Sequence, residues 1–232
     1  MNWETFKETC QEKGIILSDT QLKLFEEYSN LLQEWNQKFN LTSNAEEEEI
    51  LEYHFLDCLL PLSLIKDVKS CVDVGSGAGF PGMVWKIMLP DVEMILLEAT
   101  GKKCEFLKEV IKEVKLEKIE VVNERAEEYV KEHREEYDLV VARAVAPLSI
   151  LSELCVPLIH EGGYFLAMKG KHAEEERKEA KHAEEILGIK ILHEQKEELP
   201  RGGERNNLLY IKEKKTAEKY PRSYGQMKKK PL

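Results

Sequence analysis

Cys71-Val72-Asp73-Val74-Gly75-Ser76-Gly77-Ala78-Gly79-Phe80-Pro81-Gly82 decides the fold of this chain. Val72 and Val74 are β-branched and flank Asp73, as in a buried strand. Four glycines then fall within eight residues, Gly75 to Gly82. Met83 to Leu89 can continue as a helix. Glycine accepts positive φ and lets backbone come close to a ligand. A strand, a glycine loop and a helix in that order place this approach at the mouth of a parallel sheet, where nucleotides bind.

Downstream of the loop the same alternation repeats. The pattern predicts strands at Cys71–Gly75, Glu93–Glu98, Ile119–Asn123, Asp138–Ala142 and Tyr164–Lys169. It predicts helices at Gly82–Leu89, Lys102–Val114, Ala126–Glu132 and Leu148–Ile159, then one charged helix over Lys171–Leu187. Two last strands, Ile189–Gln195 and Leu208–Lys212, are separated by Pro200-Arg201-Gly202-Gly203. A connection without a helix makes that pair antiparallel. The expected architecture is α/β, a mostly parallel seven-stranded sheet with a terminal antiparallel hairpin and helices on both faces.

Upstream, the chain reads as helical. Ser18 caps a helix whose apolar stripe runs through Leu22, Phe25, Tyr28, Leu31, Leu32 and Trp35. Residues 36–44 break it, and Asn36 and Asn40 are candidates for tying that break to the sheet. A second helical stretch starts near Glu46, where four consecutive acids suit a helix N-terminus, and runs toward Pro61. The expected organisation is an N-terminal helical extension (1–66), the sheet domain (67–213) and a basic C-terminal tail (214–232).

The chain has 232 residues and is 42% hydrophobic, enough for a sizeable core. The apolar stretch from Phe55 to Ile65 is too short to span a bilayer, and the first residues do not read as a signal peptide. Five cysteines without a CxxC spacing point to a reducing compartment and no cysteine zinc site. The expected location is the cytoplasm, without a membrane partner. Net charge is −10, which by itself argues against nucleic acid. The charge is uneven, however: from Lys212 to Leu232 eight basic residues face two acids. Such a segment can hold a polyanion locally, because fields fade within about 8 Å at physiological salt.

The loop's spacing selects its ligand. A dinucleotide fingerprint starting at Gly75 would place its third glycine where Phe80 stands. No Lys-Ser/Thr follows, so a phosphate-cradling P-loop is excluded too. Asp73, Gly75, Gly77 and Gly79 instead form a D-x-G-x-G-x-G loop, which resembles the first motif of the class I S-adenosylmethionine (SAM) methyltransferases, a Rossmann-like fold. Ribose hydroxyls need an acceptor at the end of the next strand. Glu98 stands there, 21 residues after Gly77. Arg125-Ala126-Glu127 supplies polar groups after the third strand, where adenine would lie.

Further motifs narrow the class. Trp35-Asn36-Gln37-Lys38-Phe39-Asn40-Leu41-Thr42, His54-Phe55-Leu56-Asp57, the Phe80-Pro81-Gly82 extension, Ala142-Arg143-Ala144-Val145-Ala146, Lys169-Gly170 and Tyr220-Pro221-Arg222 together resemble the bacterial glucose-inhibited division protein B family over nearly the whole chain. The resemblance implies a methyltransferase acting on N7 of a guanine in 16S ribosomal RNA, using SAM, releasing S-adenosylhomocysteine, and needing no metal. It implies cofactor contacts at Gly75, Phe80, Ala126, Glu127 and Arg143, and at the more variable segment Glu98-Ala99-Thr100. Many members carry Asp where Glu98 stands, and either carboxylate accepts from a diol. The implied partner is 16S rRNA in the small subunit or an assembly intermediate, met by a monomer.

The residues agree with that chemistry in what they lack. Guanine N7 carries a lone pair and no proton, so no catalytic base is required. There is no D/N-P-P-Y element for exocyclic amines and no Pro-Cys nucleophile, and Cys155 reads as helix core. Arg143, at the sheet's C-terminal edge, can serve the cofactor, the guanine, a phosphate or a structural ion pair. His54 reads as a packing or capping residue, with a substrate-side role as the alternative. Trp35 and Phe39 read as helix core before base-stacking platforms. Lys169, Arg222, Lys228, Lys229 and Lys230 are candidates for RNA contact, with a solubilising tail as the alternative. Two other functions stay open: a SAM methyltransferase of a small molecule or protein, and a non-catalytic RNA-binding or ribosome-assembly protein.

Overall fold

The computed structural model describes residues 1–43 and 45–232. The chain begins with α1 (Trp3–Glu12) and α2 (Asp19–Phe39). Ser18 caps α2 through a reciprocal box with Gln21, and Asn40 ends it in the left-handed conformation. The predicted break is therefore later than expected, at Asn40. Asn36 ties it, accepting from the Thr42 N–H at 2.9 Å. The second helical stretch is continuous but changes pitch: α3 (Glu47–Glu49), a π-helical run Ile50–Leu56, α4 (Asp57–Leu59) and a 3₁₀ turn Leu60–Leu64. Wide π turns recur at functional sites, and this one carries Tyr53 and His54.

The sheet strands are β1 (Ser70–Val74), β2 (Glu93–Leu97), β3 (Ile119–Val122), β4 (Tyr137–Arg143), β5 (Ile159–Lys169), β6 (Ile189–Leu199) and β7 (Gly203–Lys212). Their order is β3-β2-β1-β4-β5-β7-β6. β7 alone runs opposite to the other six strands, inserted between β5 and β6. The helices between them are α5 (Gly82–Met88), α6 (Gly101–Glu113), α7 (Ala126–Tyr129) and α8 (Leu148–Cys155). The strand order reverses between β1 and β4, and open sheets of this kind bind ligands at such a switch point.

Three predicted helices end differently. The Ala126–Glu132 helix stops at Tyr129. The Leu148–Ile159 helix stops at Cys155, and a 3₁₀ turn (Val156–Leu158) containing Pro157 leads into β5. Proline has no N–H to donate to an α-helix, so the turn tightens there. The single charged helix over Lys171–Leu187 is two, α9 (Ala173–Glu179) and α10 (Lys181–Leu187). Ala180 between them is fully buried. The bend lets both pieces pack against α8 and bury Ala173, Ala183 and Leu187.

Side-chain alternation divides the core. Leu139 and Val141 of β4 face one layer with α1, α2 and the π run, where Phe6, Phe25, Tyr28, Phe55 and Trp85 are buried. Val72, Val74, Val140 and Ala142 face the other, under α8 and α10. The C-terminal residues belong to that second layer: Tyr220 and Met227 are buried in it, and α11 (Tyr224–Lys229) packs there. All five cysteines are free and buried. Burial pushes the Cys155 thiol up, as its core role requires. Among the described residues no helix is long and apolar enough to cross a membrane.

Candidate active site

The glycine loop is held from below. Gly75, Gly77 and Gly79 all have positive φ. At Gly75 (φ +71°) a Cβ would lie 2.7 Å from Val145 Cγ2, and at Gly79 (φ +100°) 2.6 Å from the Tyr28 hydroxyl. Side chains at either position would force the loop off its neighbours. Tyr28 donates to the Ala78 carbonyl, so α2 fixes the loop's height. Asp73 is fully buried and its Oδ2 accepts from the Gly82 N–H at 2.8 Å. Burial pushes its carboxyl up to about 7, and its Oδ1 has no partner among the described residues.

Two cavities adjoin the loop, and a third lies beyond Arg143. One, of about 250 Å³, has apolar walls from Leu97, Val145 and Leu154 and polar ones from Glu98, Arg125 and Glu127. Glu98 Oε2 accepts from Gly77 N–H at 2.9 Å and Oε1 from Thr100 N–H at 2.8 Å. An ionised carboxylate has about four acceptor sites, so Glu98 keeps capacity for a diol. Tyr224 of α11 completes the wall, with the Arg125 guanidinium 4.9 Å from its ring centre. The second, of about 180 Å³, is bounded by Gly75, Ser76, Gly77, Phe80 and Arg143. Phe80 is stacked on His54 with ring centres 4.3 Å apart.

The third cavity, about 700 Å³, opens on the far side of Arg143 and is walled by Thr42, Tyr53, His54, Asp57, residues 143–147, Lys169, Glu176 and Arg205. Its charges are paired. Asp57, buried, accepts from Arg143 Nη1 at 2.9 Å and from Arg205 Nε at 3.0 Å. Arg143 also donates to the Tyr53 carbonyl at 2.8 Å. Its Nη2 lies 3.1 Å from His54 Nδ1. Arginine has no acceptor, so Nδ1 accepts, which leaves the proton on Nε2, 3.1 Å from Thr42 Oγ1.

Of the cofactor candidates, Gly75, Gly77, Phe80, Glu98, Ala99, Ala126, Glu127 and Arg143 line these cavities. Asp73, Gly79 and Thr100 lie outside the walls and brace the loop and β2's end instead. Among the RNA candidates, Lys169 is buried against Glu176 at 2.7 Å and donates to the Ala146 carbonyl. Arg222 is spent on the fully buried Glu153, at 2.6 Å. Lys228, Lys229 and Lys230 are exposed, beside Tyr224. Trp35 packs on Phe106, and Phe39 carries Lys102 over its ring. Sequence reasoning assigned no role to Thr42, Asp57, Glu176 or Arg205, and it read Tyr224 as part of an RNA-contacting basic tail rather than as a wall of the first cavity. For Asp57 the His54–Asp57 motif was a signal, since it stood out without a role attached.

A 3-2-1-4-5-7-6 sheet with a glycine loop at its switch point and an acid at the end of β2 defines a class I SAM-dependent methyltransferase. The fold matches that of the M. jannaschii TYW2 crystal structure in complex with AdoMet (TM-score 0.51, 15% identity, 63% of this chain and 68% of that one). The GidB family model, described as rRNA small subunit methyltransferase G, matches residues 21–208. "Ribosomal RNA small subunit methyltransferase G" of Clostridium botulinum (strain 657 / Type Ba4) is 44% identical over 228 residues, covering 96% of this chain and 95% of its own. The Clostridium tetani protein of that name is 43% identical over 235 residues, covering 99% and 98%. The chain belongs to the rRNA small subunit methyltransferase G family.

Proposed function

We propose that the chain methylates N7 of a guanine in the 16S rRNA of the small ribosomal subunit, acting as a monomer with SAM and without a metal. One observation carries the choice of atom. His54, which borders two of the three cavities, and Asp57, which borders the large one, are both committed to Arg143. They position rather than deprotonate, which suits a nucleophile that has a lone pair and no proton.

The residues fit SAM. Positive-φ Gly75 and Gly77 bring loop backbone to the edge of the small cavity, and a carboxylate lines a slot with apolar walls. Glu98 would hold the ribose hydroxyls, Ala126 and Glu127 the adenine, and Gly75 to Phe80 the amino-acid end. SAM bound there supplies an electrophilic methyl group. The chain's own part is alignment and exclusion of water, which account for several kcal/mol of a displacement barrier, roughly. Lys228, Lys229 and Lys230 supply RNA affinity against the acidic body, since Lys169 and Arg222 are internally paired.

The test is incubation with methyl-labelled SAM and small subunits lacking the modification, followed by mapping of the labelled base. Label at N7 of a single 16S guanine is the expected result. Label absent from rRNA defeats the proposal, and label on a protein or small molecule favours the alternative enzyme reading.

A further inference from the structure

We propose that Glu176 reads the Watson–Crick edge of the target guanine; this rests on the guanine-N7 reading above. The three cavities share Arg143 or its neighbours: Gly75 and Val145 border the first, and Gly75, Arg143 and Ala144 the second. Arg143, Ala144 and Val145 also border the third. The methyl group must therefore enter the large cavity from that shared end. Glu176 borders the large cavity and neither of the other two.

Guanine has opposite hydrogen-bonding character on its two sides. N7 and O6 are acceptors, while N1–H and the N2 amino group on the other edge are donors. With N7 toward the shared end, the donor edge faces away from it. A carboxylate is the side chain suited to that edge, because it only accepts. The large cavity has three carboxylate-bearing or cationic pairings to consider. Asp57 is spent, one oxygen on Arg143 and one on Arg205. Glu176 is anchored through Oε2 alone, which accepts from the Leu148 N–H at 2.8 Å and pairs with Lys169 at 2.7 Å. Its Oε1 accepts no hydrogen bond among the described residues, and it is not among their buried, unpartnered atoms. The anchor fixes the carboxylate of this lining residue and leaves its second oxygen without a protein partner among the described residues. An adenine in the same place would present the N1 lone pair to Glu176 and be repelled.

The experiment compares small subunits reconstituted with guanine or inosine at the target position. Inosine keeps N7, O6 and N1–H and lacks only the N2 amino group. Both the subunit dissociation constant and kcat/KM are measured, for the unaltered protein and for Glu176→Gln. The unaltered protein should favour guanine by about tenfold in kcat/KM, the range of one hydrogen bond to a charged group. Glu176→Gln should reduce that preference to about twofold or less. If Glu176→Gln fails to fold, Glu176→Asp, which keeps a charge for Lys169 but withdraws it from the cavity, is read by the same ratio. An unaltered protein indifferent to inosine overturns the inference, as does a folded variant that keeps the full preference. Absence of any rRNA methylation by the unaltered protein sinks the underlying function instead, which the guanine subunits report on their own.

Discussion

The proposed cofactor half and the proposed substrate half of the cleft are built by different physics. In the first, backbone does most of the holding: positive-φ glycines, N–H groups satisfied by Glu98, and a loop braced by Asp73 and Tyr28. In the second, side-chain charges hold each other, with Asp57 between Arg143 and Arg205 and Glu176 on Lys169. The ends of the chain are divided in the same way. The N-terminal helices bring Tyr53, His54 and Asp57 to the substrate side, and α11 brings Tyr224 to the cofactor side. A backbone cradle tolerates little change in shape, whereas a charge network can be altered at one member while the cradle stays intact.

The strongest way to break this division is at its boundary. Arg143→Ala removes a cation shared by both halves and strands Asp57, which is 5% exposed. Methyl transfer should fall by at least about a hundredfold and stability by about 3 kcal/mol, read by turnover and by urea unfolding.

Asp73 offers a pH test of the cradle. Its folded-state carboxyl titrates near 7, well above an unfolded aspartate, so the folded state keeps the proton longer. Stability from this group is fully present below about pH 4 and is lost as pH rises toward 7, by an amount on the order of a few kcal/mol. Asp73→Asn should lack that loss. Urea midpoints at pH 5 and pH 8 then converge or cross relative to the unaltered protein, and an identical pH trend in both would refute the assignment.

Tyr224→Ala should sharpen the comparison from the cofactor side. It opens one wall of the small pocket, and SAM affinity measured by calorimetry should drop about tenfold, in the range of a lost aromatic stacking contact. The smallest effect is expected from neutralising Lys228, Lys229 and Lys230 together. RNA binding should weaken and its slope against log salt should flatten by about two, with SAM affinity unchanged.

Most of the walls of the two smaller cavities were legible in the sequence because they are local. Strand ends, glycine spacing and the acid at Glu98 follow one another along the chain, and periodicity locates them. The substrate half was not, because its members stand at 42, 57, 143, 169, 176 and 205 and meet only in the fold. Lys169 and Arg222 show the same limit. A cation in a sequence reads as surface until the fold reveals its acid, here half-buried Glu176 in a cavity wall and fully buried Glu153 in α8. Tyr224 read as one aromatic in a basic tail, since nothing local shows that Arg222 and Met227 pin that tail beside the cavity walled by Glu98 and Glu127. The bend at Ala180 is likewise a packing effect, as both flanking helices must reach α8.

The separability of the two halves is tested most directly at Arg205. It borders the large cavity, pairs with Asp57 at 3.0 Å and lines neither smaller pocket. For Arg205→Ala, the SAM dissociation constant and kcat/KM for small subunits are measured side by side. The account predicts SAM affinity within about twofold of the unaltered protein and kcat/KM lower by about tenfold or more. A parallel fall in both quantities would contradict it.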